Sequence, residues 1–399
     1  MKKRFLYILL LLFILSIILF KGIAVDYIGG LNNTLEKDDI IVDIDEIDED
    51  IIVEPTTTDI SILAVGDIMF HMPQIKAASS SEGEYDFSPM FKYVKEYIQD
   101  ADLALGNYET VTVNDRSYSG FPRFNSPIET IFALKETGFD ILSTANNHSL
   151  DQGKIGIIST IETINSLGLK HVGTNSDKDT KPLIVEVEGI KIGILSYTFG
   201  LNGLDSLLTV EELSYMVNLI DEEKIQLEIQ MLKDEDVDII VSYIHWGHEY
   251  QKEPSEEQIN LGHKLVEWGV NIVFGSHPHV VQKSELINID GKDNYIVYSM
   301  GNFLSNQREI TMGNSFTEDG VMVKINIEKD LVLNETIIKE IEYIPTWVYR
   351  YNDGENYFYK ILPTEDIING KLDLNVDSNT ISRIEKSYDD TMSVFGENY

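Results

Sequence analysis

Five apolar runs in this chain each end in residues of one chemical kind. Ile60 to Val65 ends at Gly66-Asp67, and Asp102 to Leu105 ends at Gly106-Asn107, with Glu109 just beyond. Asp140 to Ser143 leads to Asn146-Asn147-His148, Asp238 to Ile244 delivers His245, and Asn271 to Phe274 ends in Gly275-Ser276-His277-Pro278-His279. Short β-rich runs of this kind are strands of a buried sheet, and the segments between them carry helical spacing, so the chain alternates strand and helix. Such an α/β order delivers the side chains that follow each strand to one edge of the sheet, where ligands bind. The last run is the most telling, because its Gly/Ser/Pro turn is stiff and presents two imidazoles together.

The helices between these runs carry their own punctuation. Ser88 and Pro89 open an amphipathic helix with Met90, Phe91, Val94, Tyr97 and Ile98 on one face. Further helices run from about Glu129 to a stop at Gly138, from Ile155 to Leu167 before Gly168, and from Glu222 to Lys233. Ser255 with Gln258 forms a capping-box pair opening a helix that stops at Gly269. Leu183 to Tyr197 reads as a strand pair turning at Glu188-Gly189, and Asn294 to Tyr298 and Gly320 to Ile327 are the last clear core strands. The expected organisation is a core domain over 59–327 and an irregular appendage over 328–399 packed on it, with a terminal helix at Ile381 to Phe395.

The beginning of the chain reads differently. Met1-Lys2-Lys3-Arg4 is basic, and Phe5 to Phe20 is an apolar run that, counted to Val25, reaches the ~20 residues needed to span a bilayer. The basic residues hold the tip in the cytoplasm, so the main domain is expected outside a cell membrane crossed once. A cleaved secretory signal is the rival reading, and Gly22-Ile23-Ala24-Val25 is a poor small-x-small site for it. An uncleaved signal anchor over 1–25 and an acidic extracellular linker over 26–58 are therefore expected.

Composition narrows the chemistry. The chain has no cysteine, which excludes disulfides, thiolate metal sites and a cysteine nucleophile. Sixty-seven acidic against 31 basic residues give a net charge of −36, which repels nucleic acid and attracts divalent cations. The strand-end set of Asp67, Asn107, Glu109, Asn147, His148, His245, His277 and His279 mixes hard oxygens with imidazoles, which suits Mn, Fe, Zn or Mg. It is large enough for one or two ions, and a pair about 3.5–4 Å apart is the usual clamp on a phosphate ester, with a remaining histidine free to protonate the leaving group.

Taken together, these motifs resemble the calcineurin-like metallophosphoesterases, and within them the CapA-type poly-γ-glutamate capsule biosynthesis proteins. The resemblance rests on Val65-Gly66-Asp67-Ile68-Met69, Gly106 to Thr110, Ala145 to His148 with Asp151-Gln152-Gly153, and His245 to Tyr250. It extends through Gly275 to His279 with Gln282, Tyr298 to Phe303, and Pro345-Thr346-Trp347. It implies a sandwich of two facing sheets flanked by helices, with the metal site at the strand ends. By position, Asp67 and His279 resemble ligands of a first metal, Asn147, His245 and His277 ligands of a second, and His148 the leaving-group acid. The chain departs from the wider superfamily at Met69, where a histidine is usual, and at the bridging aspartate, whose place falls to Asn107 or Glu109. Glu249 is expected to orient His245, Asn302 to contact substrate, and His71 to be a loop histidine.

The resemblance implies a membrane-anchored protein acting in synthesis, export or retention of an anionic capsule polymer, together with membrane synthase or export subunits. The alternatives are a general extracellular phosphodiesterase or phosphatase, and a non-catalytic docking module for a membrane synthase.

Overall fold

The structure is a computed structural model that describes residues 56–80, 83–372 and 374–396. The expected anchor over 1–25 and nearly all of the linker lie outside the described residues. No helix among the described residues is long and apolar enough to cross a membrane.

Two sheets carry the architecture. In chain order the strands are β1 (Thr57–Ile68), β2 (Leu103–Tyr108), β3 (Ile141–Ser143), β4 (Lys170–Val172), β5 (Leu183–Val187), β6 (Ile190–Thr198) and β7 (Ile239–His245). They continue as β8 (Ile272–Ser276), β9 (Val281–Ile289), β10 (Lys292–Met300), β11 (Asn302–Leu304), β12 (Asp319–Asp330), β13 (Glu335–Asn352) and β14 (Tyr357–Pro363). Among the described residues, the first sheet runs β14-β13-β12-β1-β2-β3-β4 with β11 against β1, and the second runs β5-β6-β7-β8-β10-β9. The parallel stretches β1-β2-β3-β4 and β6-β7-β8-β10 lie at the heart of each sheet.

The sheets pack face to face. Ile62, Ala64, Leu105 and Ile141 of the first share one core with Ile192, Ile194, Val241, Phe274 and Val297 of the second. Each fully buried aliphatic side chain of this kind contributes roughly 1.5–3 kcal/mol, so the shared core is a large part of the stability. Outside the first sheet, Ile131 and Leu134 of the helix Ile128–Thr137 and Ile164 of the helix Lys154–Ser166 pack on Val65 and Leu142. Outside the second, the helices Glu222–Asp234 and Glu256–Trp268 bury Ile225, Ile229, Leu265 and Val266. The result is a helix, sheet, sheet, helix layering.

The start of the first amphipathic helix differs from expectation, because Ser88–Phe91 and Lys95–Gln99 are two short helices separated by a turn. The region beyond 328 is also more regular than expected. It supplies β13 and β14, which extend the first sheet, and the helix Ser378–Phe395. Phe395 stacks on Tyr343 of β13 with ring centroids 4.0 Å apart, and Arg383 pairs with Asp319 at 2.7 Å. The dense Tyr, Asp and Asn content there hid the alternation of a strand half-exposed to solvent.

Two backbone features bring the strand ends together. Between Val65 and Asp67 the register of β1 on β2 shifts, and a Cβ on Gly66 would lie 1.9 Å from the Gly301 carbonyl oxygen. Only glycine allows that approach, and the shift leaves Gly66 out of the ladder while Asp67 resumes pairing with Asn107 of β2 and Asn302 of β11. A bond from the Tyr243 hydroxyl to the Val65 carbonyl, 2.5 Å long, then ties the second sheet to the first beside this bulge.

Candidate metal centre

The centre is assembled from the ends of β1, β2, β7 and β8 and from the turn after β3. His277 and His279 follow β8 with φ of 98° and 57°. Those left-handed conformations cost on the order of 1–3 kcal/mol for non-glycine residues, and they persist because Pro278 and the surrounding packing hold them. Asp67, Asn107, Glu109, Asn147, His148, His245, His277 and His279 are each 0–4 % exposed. All eight strand-end residues are thus buried at one end of the sandwich.

Asp67 lies at the middle of the cluster. Its Oδ2 accepts from His279 Nδ1 at 3.0 Å and from the His277 backbone N–H at 3.3 Å, and its Oδ1 accepts from Asn107 Nδ2 at 2.8 Å. Burial pushes its carboxyl up, but the hydrogen bonds it accepts from His279 and Asn107, with the neighbouring imidazoles, outweigh that and hold it well below the usual carboxylate range. His279 Nδ1 also faces the Asn302 Oδ1 acceptor at 3.1 Å. With two acceptors on Nδ1, a proton sits there, and Nε2 lies 3.8 Å from Glu109 Oε1.

His245 Nε2 is 3.1 Å from Asn147 Oδ1 and 3.7 Å from Glu109 Oε1, and its Nδ1 lies 3.0 Å from Ser276 Oγ. The His277 ring packs 4.7 Å from that of His245. Burial lowers the pKa of His245 to about 3, and burial plus neighbouring imidazoles hold His277 well below its ordinary value. Both rings are therefore neutral, as metal ligands must be. Glu109 is pushed the other way, first by burial and then by the charge of Asp67.

Asn107 is arranged differently from the rest. Its Nδ2 points into the cluster toward Asp67, Glu109 and His245, while its Oδ1 accepts from Asn146 Nδ2 at 3.1 Å. In this orientation the oxygen that could bind a cation is turned away.

A divalent ion fits this donor set. Glu109 Oε1 and His277 Nδ1 are buried with no hydrogen-bond partner, an expensive arrangement unless something else contacts them. Glu109, His245 and His277 form one group whose ligand atoms all lie within 4.8 Å of one another, and Asp67, Glu109 and His279 form another. Glu109 belongs to both. The donors are hard oxygens and imidazole nitrogens, with no sulfur.

His148 stands to one side. Its Nδ1 is 2.8 Å from Asp151 Oδ2, which also accepts the Phe124 backbone N–H at 2.6 Å, and its ring meets Phe124 edge-on at 4.7 Å. The imidazole is held by a carboxylate on one nitrogen and an aromatic wall.

Several side chains do not occupy the places expected of them. Glu249 lies with His277 and His279, all within 4.8 Å by ligand atom, rather than holding His245, whose Nδ1 is met by Ser276. Asn302 has its amide committed to Thr317 O at 2.9 Å and to His279, so it props a histidine instead of facing substrate. His71, by contrast, is the expected loop histidine, lying just before the helix Met72–Ala78 with its ring on Phe124 at 5.2 Å and its Nδ1 3.3 Å from the Asn306 backbone N. Trp246 is core, donating from Nε1 to Tyr298 O at 2.8 Å.

Phe199, 48 % exposed, covers the His277 ring at 4.4 Å and was not singled out from the sequence. It lies just after β6, and nothing about a lone phenylalanine marks it. Asp151 had a local signal, three residues after His148, the spacing that lets one turn close on itself.

Comparison with known proteins agrees with the motifs. Residues 61–307 match the family described as bacterial capsule synthesis protein PGA_cap. The chain belongs to this family. The PGA_cap chain is 29 % identical over 280 residues to the capsule biosynthesis protein CapA of Bacillus anthracis, covering 67 % of this chain and 64 % of that relative. It thus spans a little under two thirds of that protein's length. It is 25 % identical over 329 residues to the PGA biosynthesis protein CapA of Bacillus subtilis, covering 74 % of this chain and 80 % of that one. Among solved structures it is similar to the calcineurin-like phosphoesterase YfkN from Bacillus subtilis, with TM-score 0.41 and 14 % identity over 84 % of this chain and 98 % of that one. A novel phosphatase from Mycoplasma pneumoniae gives TM-score 0.43 and 14 % identity, covering 72 % and 94 %.

Proposed function

We propose that this PGA_cap protein acts in the synthesis, export or retention of a poly-γ-glutamate capsule. In this reading it is a single-pass membrane protein with its main domain outside the cell, and the domain hydrolyses an ester or amide at a divalent-metal centre. The observation that carries the hydrolytic part is the pair of buried, partnerless atoms, Glu109 Oε1 and His277 Nδ1, inside a ring of neutral imidazoles and carboxylates.

Asp67 and His279 hold one side of the centre, and His245, His277 and Asn147 the other. Glu109, whose carboxylate belongs to both donor groups, would hold the ion from either side, whereas Asn107 Nδ2 serves to fix Asp67. The chemistry these residues would gain from a bound divalent cation is Lewis acidity toward a carbonyl or phosphoryl oxygen. His148, steadied by Asp151, gives a proton to the leaving group, and Phe199 shields the His277 side from water. The partners in this reading are the membrane, the anionic polymer, and synthase or export subunits.

The test is elemental analysis of the purified protein with a hydrolysis screen on phosphodiesters and on poly-γ-glutamate. His277→Ala is expected to lower both metal content and turnover, whereas His148→Ala lowers turnover by ~10²–10⁴-fold with metal content retained. Equal loss of metal in the two variants would sink the acid role of His148.

A further inference from the structure

One donor at the centre differs from all the others in its exposure. Glu249 is exposed, whereas His277 and His279, with which it groups, are buried. Its place is built by two left-handed residues, Gly247 at φ 85° and Tyr250 at φ 66°. The Tyr250 N–H donates to the Pro278 carbonyl at 2.7 Å, so the turn carrying Glu249 is fastened to the turn carrying the two histidines. The same turn thus fixes a carboxylate at the solvent side of the centre, with an oxygen within 4.8 Å of a ring nitrogen of both His277 and His279.

We propose that Glu249 is a displaceable ligand of the metal centre. Its carboxylate holds the solvent-side coordination position and gives way to an oxyanion of the substrate, either a phosphate ester or a carboxylate of an anionic polymer. This rests on the metal-centre reading above and adds to it the mode of substrate entry. The buried donors cannot leave, because an ionised or polar group without a partner in the interior is costly, whereas an exposed carboxylate regains water at once. The exchange also answers an electrostatic difficulty. A chain of net charge −36 repels an incoming anion, but exchanging one carboxylate for another anion leaves the local charge nearly unchanged.

The experiment is calorimetric titration of the metal-free full chain and its Glu249→Gln variant with Mn²⁺, followed by titration of each Mn-loaded protein with orthophosphate and, separately, with glutarate. Loss of one exposed ligand is expected to weaken Mn²⁺ binding about tenfold and to tighten at least one anion several-fold, since the internal competitor is gone. Tightening of orthophosphate alone identifies a phosphate-ester entrant, and tightening of glutarate alone a polymer carboxylate. Mn²⁺ affinity equal to that of the unaltered protein, or no gain for either anion, overturns the proposal while leaving the metal centre standing. Failure of the unaltered protein to bind Mn²⁺, Zn²⁺, Fe²⁺ or Mg²⁺ overturns both.

Discussion

The carboxylate of Asp151 shows how one side chain sets the behaviour of another. Its Oδ2 takes both His148 Nδ1 and the Phe124 N–H, so the proton sits on Nδ1 and the ring is held in one orientation. Asp151→Asn is expected to lower hydrolysis by ~10²-fold or more and to change its pH profile, with metal content unaltered by elemental analysis. Titration of the buried imidazoles gives a second expectation at this scale. His245 titrates at about 3 in the fold against 6.5 unfolded, so the unfolded chain binds the extra proton between those values. The stability this neutral ring contributes is complete above 6.5 and is lost as pH falls toward about 3. Urea midpoints of the metal-free protein should therefore be lower at pH 5 than at pH 7.5, and an unchanged midpoint would count against the buried neutral ring. Residue types and local spacing named the strand-end donors, because a strand ends where its apolar run ends. Glu249 and Phe199 were not legible in those roles, since their positions depend on turns that approach from other strands.

At the level of elements, the close approach at Gly66 and the docking of the last helix carry separate consequences. Alanine at Gly66 would set its Cβ 1.9 Å from the Gly301 oxygen, so the β1 bulge cannot form unchanged. Gly66→Ala is expected to destabilise by several kcal/mol and to displace Asp67, read as a lower unfolding midpoint together with lost metal binding. In the helix Ser378–Phe395, Arg383 pairs with Asp319, whose carboxyl burial pushes up to about 6 against the opposing pull of Arg383. Arg383→Met leaves that buried acid without its cation, and about 3 kcal/mol of stability should be lost. Ser255 with Gln258 and the stop at Gly269 were readable because caps act within one turn. β13 and β14 were not, because a strand that pairs across a sheet edge has no local signal of its partner.

For the whole molecule, the orientation and the metal dependence are open to direct measurement. Protease added to intact cells should digest the domain if Lys2, Lys3 and Arg4 hold the tip inside, and complete protection would rule that orientation out. Chelation should lower the thermal midpoint and restored Mn²⁺ should raise it, since an ion that binds only the folded chain stabilises it by mass action. The sequence alone determined the α/β alternation, the helix stops at Gly138 and Gly269, the absence of thiol chemistry and which polar residues stand at the strand ends, because each is a property of residues near one another in the chain. The tertiary structure decided which strands pair in each of the two facing sheets, that Glu109 and not Asn107 presents a free oxygen to both histidine groups, and that Glu249 arrives at the mouth of the centre. Those are outcomes of long-range packing, in which groups distant in sequence meet only once the β1 bulge and the Pro278 turn have set their directions.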